Sequence, residues 1–195
     1  MLRDARRLHF LGPGEVSAHL EHSLAFALLV SEPPGRAVDL GSGAGVPGLV
    51  LAVLWPASTW VLLDANARRT AFLGCAITSL GLTDRVDVLT DRAEQIGQDP
   101  TWRAQADLVV VRSFGPPAVV AECVAPLMRT GGTVVVAEPP GGAPGRWPAH
   151  GLELLGLAED GRTTDPVALQ RLRQVAPCPP RYPRRVGIPQ KRPLF

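Results

Sequence analysis

Val16, Leu20, Leu24 and Leu28 recur at every fourth position, the repeat of one helical face. The spacing predicts an amphipathic helix over 15–30, closed by Pro33, Pro34 and Gly35. Beyond it, short apolar runs alternate with helical stretches. Residues 36–40, 59–64, 85–90, 107–113 and 133–138 read as buried strands. Helices are expected from near Pro47, over 68–80 as far as Gly81, and over 117–128 with Gly131 and Gly132 as the stop. Residues 139–148 read as a loop, and 151–159 and 166–175 as two further strands forming an antiparallel pair. From Pro177 onward the prolines argue against regular structure, leaving an extended tail along the surface.

Strands alternating with helices at this spacing imply an α/β fold. The expected architecture is Rossmann-like: a mostly parallel seven-stranded sheet with helices on both faces. A chain of 195 residues without repeats is read as a single domain. Its parts are a helical cap (1–32), a core (33–176) and an extended basic tail (177–195).

Composition narrows the class further. Hydrophobic residues make up 46% of the chain, but no apolar run reaches the ~18 residues of a membrane span. The arginine-bearing start has too short an apolar stretch for a secretory signal, so a soluble cytoplasmic protein, monomeric and without a membrane partner, is expected. Cys75, Cys123 and Cys178 are odd in number and widely spaced, which excludes a disulfide framework or a zinc motif. The net charge of +2 argues little. Its distribution says more: Arg181, Arg184, Arg185, Lys191 and Arg192 crowd the tail with no acid among them. Such a patch suits a polyanion, although a basic tail can equally be a solvated one.

The first strand runs directly into a glycine turn, AVDLGSGAGVPG over 37–48. From Gly43 it spells GxGxxG, the dinucleotide fingerprint; from Asp39 it spells DxGxGxG, the turn of S-adenosylmethionine methyltransferases. Three features favour the second. The glycines begin at Gly41, two residues before the dinucleotide pattern. Asp39 is placed to face a cationic methionine end. After five alternating strands too little chain remains for a dehydrogenase's substrate domain. Asp64, 23 residues after Gly41, can accept ribose hydroxyls in either class. A dehydrogenase and a nonenzymatic nucleotide binder stay open as alternatives. A purely structural reading makes Asp39 a helix-end carboxylate and Asp64 a cap on the next helix.

Several pieces together resemble one family: GPGEV, HLEHSL, DLGSGAGVPGL, LLDANARRTAFL, DRAEQI, DLVVVRSF with PLMRTGG, and RYPRRVGIPQKRPL. They are similar to the bacterial small-subunit (16S) ribosomal RNA guanine-N7 methyltransferases, the glucose-inhibited division protein B family. The resemblance implies that Gly41 and Val46 contact S-adenosylmethionine, beside Gly43 and Gly45, which the glycine turn itself assigns to the cofactor. It also implies that Ala93 and Glu94 hold the adenine end and that Arg112 lines the pocket. The helix carrying His19 and Ser23 would cover the pocket mouth, and Arg184 and Arg185 would meet the ribosomal RNA or the small ribosomal subunit. The chain departs from the family in a shorter N-terminus, in His22 where an Asp or Asn is usual, and in Glu138-Pro139 where the fifth strand usually ends in Lys-Gly.

Guanine N7 offers a lone pair and no proton, so methyl transfer to it needs alignment rather than a general base. No catalytic residue and no metal are assigned. The motif that serves exocyclic amines is absent after the fourth strand, where Ser113-Phe114-Gly115-Pro116-Pro117 stands, and no cysteine lies there for carbon methylation. Arg112 ends an apolar strand at the ligand edge, where it can hold the cofactor or a looped-out guanine; otherwise it pairs with Asp107 or Glu138. His19 and His22 are weaker candidates. Two rivals remain: a methyltransferase of the same fold acting on a small metabolite, and a noncatalytic RNA-binding relative.

Overall fold

In the computed structural model, which describes residues 1–141 and 145–195, seven strands form one sheet: β1 (Arg36–Leu40), β2 (Thr59–Asp64), β3 (Val86–Thr90), β4 (Ala106–Val111), β5 (Met128–Ala137), β6 (Leu157–Thr163) and β7 (Leu169–Gln174). Their order is β3-β2-β1-β4-β5-β7-β6. The first five run parallel; β7 is antiparallel to both β5 and β6. The expected antiparallel pair is therefore present. The central strands are apolar throughout because both faces are covered. Val38, Leu40, Val109 and Val111 point into one core layer, with α5 (Ala93–Ile96) and α6 (Pro117–Val124). Ala37, Leu62, Leu108 and Val110 point into the other, with α3 (Gly48–Leu54) and α4 (Ala67–Ser79).

This topology fixes the position of the site. The chain adds β2 and β3 on one side of β1, then crosses to β4 on the other. The carboxyl ends of the three central strands lie level, Leu40 pairing with both Leu63 and Val111. A crevice opens where strand order reverses.

Several expected elements are redrawn. The helix expected over 15–30 is α2 (Val16–Ala25), followed by a 3-10 turn over Phe26–Leu29. Its leucines face outward, with Leu20, Leu24 and Leu28 exposed by 38%, 44% and 67%. His19, Ser23 and Phe26 are buried instead. The buried face is partly polar, His19 reaching Arg112 beside the crevice, and the leucine stripe is the outer one. The helix expected over 117–128 stops at Val124, because Pro126 has no amide to extend it. Met128 already belongs to β5, and Gly131 and Gly132 lie inside that strand. Residues 151–153, expected as strand, belong to α7 (Ala149–Glu153); Gly156, at φ +73°, turns the chain before β6 begins at Leu157. The 139–148 loop falls partly outside the described residues.

Two short helices were not foreseen at the termini: α1 (Leu2–Arg7) and α8 (Ile188–Lys191). The second corrects the expectation of a tail without regular structure, since Pro189 sits in its first turn, where no amide partner is needed. The tail is firmly docked. Arg103 donates to the carbonyls of Tyr182, Cys178 and Pro179 at 2.8, 2.9 and 3.1 Å, and Gln98 donates to that of Pro183 at 2.7 Å. Cys123 is buried, Cys178 partly so and Cys75 exposed; all three are free thiols. Among the described residues no helix is long and apolar enough to cross a membrane.

Candidate active site

Beyond β1, Gly41, Gly43 and Gly45 adopt φ values of +73°, +53° and +83°, a region that side chains disfavour. Space adds a second constraint at Gly41, where a Cβ would stand 2.7 Å from Phe114. The turn is tied to β2, because the amides of Gly41 and Ser42 both donate to the Leu63 carbonyl, at 2.8 and 3.0 Å. Asp64 holds the turn from the other side. One carboxylate oxygen accepts from the Gly43 amide at 2.9 Å and the other from the Asn66 amide at 2.8 Å. Arg69 lies 3.5 Å away. The cap of α4 is Asn66, which accepts from the amides of Arg68 and Arg69; Asp64 is not that cap.

Asp39 lies behind the turn. It is 1% exposed and accepts from the amide of Gly48, the first residue of α3, at 3.0 Å. Its other oxygen is buried with no partner among the described residues, the Ser42 hydroxyl donating to the Asp39 main-chain carbonyl at 2.8 Å. Burial pushes the carboxyl up to about 7, against the pull of the Gly48 hydrogen bond. Asp39 lines neither of the two cavities at the crevice. The helix-end reading is the one its geometry supports.

Those cavities flank Gly41. One, of about 200 Å³, lies against Asp64, Ala93, Glu94 and Phe114. The other, of about 220 Å³, lies against Gly43, Val46, Arg112 and the N-terminal residues Phe10 and Leu11. Arg112 is held by neither expected acid. Asp107 pairs with Arg129, and Glu138 pairs with Arg146. Arg112 Nη2 instead meets His19 Nδ1 at 2.7 Å, while Nη1 is buried with no partner among the described residues. Ser23 is fully buried and donates to the His19 carbonyl at 2.7 Å, inside its own helix. Burial and the charge of Arg112 bring His22 down to about 4.

Glu94 connects the crevice to the tail, accepting from the Gly187 amide at 2.9 Å. Beyond it lies a larger cleft, of about 1140 Å³, bordered by Glu94, Gln98, Arg181, Arg185 and Val186. Arg184 lines the same cleft but grips the wholly buried Glu122, through two side-chain hydrogen bonds of 2.8 and 2.6 Å and one from its backbone amide at 2.8 Å. Arg185 is exposed. The residues missed by sequence reading are Phe114, Asn66 and Gly12. Asn66, two residues after a strand and opening a helix, carried a readable capping signal; the other two act through contacts distant in sequence. Among the described residues no group of three His, Cys, Asp or Glu side chains is placed to hold a metal.

A parallel sheet with this switch point, closed by an antiparallel pair, is the Rossmann-like fold of class I methyltransferases. An O-methyltransferase family protein from Burkholderia thailandensis shares it at a TM-score of 0.63 and 17% identity, over 82% of this chain and 58% of that one. Within that class, residues 13–138 match the family described as rRNA small subunit methyltransferase G, and the chain belongs to this family. It is 36% identical over 187 residues to ribosomal RNA small subunit methyltransferase G of Synechococcus sp. (strain WH7803), covering 84% of this chain and 68% of that one. With the protein of the same name from Roseiflexus sp. (strain RS-1) it is 38% identical over 192 residues, covering 93% and 80%.

Proposed function

We propose that the protein transfers a methyl group from S-adenosylmethionine to guanine N7 in small-subunit ribosomal RNA. The residues present fit that donor. Gly41, Gly43 and Gly45 allow a ligand to approach the backbone, Asp64 and Ala93 border the cavity for the nucleoside end, and the unpartnered Arg112 Nη1 suits an anionic group at the other end. The bound donor supplies an electrophilic methyl carbon. The protein supplies alignment and a dry setting.

The observation that carries the N7 assignment concerns the two histidines beside the crevice. His19 has both ring nitrogens engaged, and His22, held near 4, is too weak a base at neutral pH. Neither imidazole beside the crevice is thus a ready proton acceptor, which suits N7, an acceptor with no proton to lose. Ribosomal RNA as the substrate is supported by the family and by the exposed Arg181 and Arg185 beside the cleft. Arg184 is better read as a structural anchor, and His19 and Ser23 as buried helix residues rather than RNA contacts. The single-domain reading is retained, supported by one continuous sheet; a monomer acting in the cytoplasm remains part of the proposal.

Nucleoside mass spectrometry of small-subunit RNA from a deletion strain tests this function. Loss of one 7-methylguanosine, restored by the wild-type chain, is expected. An unchanged nucleoside profile would return the metabolite and noncatalytic readings.

A further inference from the structure

His19 has two neighbours that dictate its chemistry. Its Nε2 lies 3.2 Å from the Gly12 carbonyl oxygen and its Nδ1 2.7 Å from Arg112 Nη2. A carbonyl can only accept, so Nε2 carries the hydrogen; a guanidinium can only donate, so Nδ1 presents its lone pair. The two contacts together select one neutral tautomer. An imidazolium would set an N–H against the guanidinium.

The same ring joins two parts of the cavity beside the glycine turn. Gly12, with Phe10 and Leu11, forms its N-terminal wall, and Arg112 lines it as well. Leu11 packs with Leu2 and Ala5 of α1 on Ala44 and Val46 of the turn. Arg112 follows β4 and has no carboxylate within ion-pair distance among the described residues. With Nη2 fixed on His19, the buried Nη1 retains its hydrogen-bonding capacity. A buried guanidinium N–H without an acceptor calls for an anion.

We infer that His19 is a positioning residue: it orients Arg112 toward the carboxylate of the cofactor's methionine end and ties the N-terminal segment over that end. This rests on reading the glycine turn as the cofactor site. His19 itself touches no reacting atom.

The test uses the full chain and two ligands that differ only at the end in question. S-Adenosylhomocysteine carries the amino acid; 5′-methylthioadenosine lacks it. Calorimetry of His19→Ala should show S-adenosylhomocysteine binding weakened roughly tenfold, the scale of a lost charge-assisted hydrogen bond, with 5′-methylthioadenosine unchanged. His19→Gln offers an acceptor and a donor in similar places and should recover most of the loss. In an Arg112→Ala background, His19→Ala should cost less than twofold more. Equal losses on both ligands, no recovery with Gln, or additive losses in the double variant would overturn the inference. Should His19→Ala fail to fold, His19→Phe decides: it keeps the ring's bulk without an acceptor for Arg112, and it must weaken S-adenosylhomocysteine and spare 5′-methylthioadenosine. Wild type that binds neither ligand would instead refute the cofactor site itself.

Discussion

Glu138 accepts the indole N–H of Trp147 at 2.9 Å, and it lines neither cavity of the crevice. Its second oxygen lies 2.7 Å from Arg146 Nε, and the side chain is only 8% exposed. The anion that stands where the family usually has lysine is thus committed to the chain after β5. Glu138→Lys should place a cation against Arg146 and leave the Trp147 N–H unpaired. A destabilisation of about 2–4 kcal/mol is expected, with no gain in RNA affinity at low or high salt. Melting curves with RNA titrations at two salt concentrations check this; tighter RNA binding at unchanged stability would contradict it.

Asp39 and His22 should give stability opposing pH dependences. Burial, chiefly, raises Asp39 from 3.8 to about 7, so the folded protein keeps a proton that the unfolded chain releases. Stability from this group falls as pH rises from about 4 to 7. Burial and then Arg112 lower His22 from 6.5 to about 4, so the unfolded chain takes a proton that the folded one refuses. That contribution falls as pH drops from 6.5 to 4. Asp39→Asn, which keeps an acceptor for the Gly48 amide, should gain stability over wild type increasingly from pH 4 to 7. His22→Asn should differ from wild type in the opposite sense, its relative stability improving as pH drops from 6.5 to 4. Denaturant unfolding at half-unit pH steps reads both differences.

Asp64 joins the glycine turn to the start of α4 through two backbone amides. Asp64→Ala should therefore reduce both cofactor affinity and stability, each by roughly 1–3 kcal/mol. Asp64→Asn keeps one acceptor and should lose less of each. Calorimetry and a melting curve on both variants measure this; full cofactor affinity in Asp64→Ala would remove the carboxylate from the site.

The tail arginines should separate by burial. Arg181→Ala and Arg185→Ala should weaken RNA binding without changing the melting temperature, each flattening the salt dependence by about one unit of slope. Arg184→Ala should leave the buried Glu122 with only the backbone amide of residue 184 and without its cationic partner, destabilising the fold by about 3–5 kcal/mol. Filter binding across a salt series, beside thermal melts, distinguishes the two classes. A stable Arg184→Ala protein that loses RNA binding would return Arg184 to the interface.

The sheet was legible along the chain because its information is local. Each central strand is a short apolar run, each glycine of 41–45 sits where the backbone must turn left-handed, and strands alternating with helices admit few topologies. The nucleotide site followed, since the turn after the first strand has to lie at the switch point. What tertiary structure alone decided was the partner of each charge. Arg112 meets His19 from 93 residues away, Arg184 meets Glu122 from 62, and Gly187 meets Glu94 from 93. No local pattern encodes such pairs, because a charge buried on folding takes whichever complement the packed elements deliver. The same reason explains α2. Its leucine stripe has the right period, but the helix covers a crevice holding a buried guanidinium, and there an imidazole faces inward while leucines face the solvent.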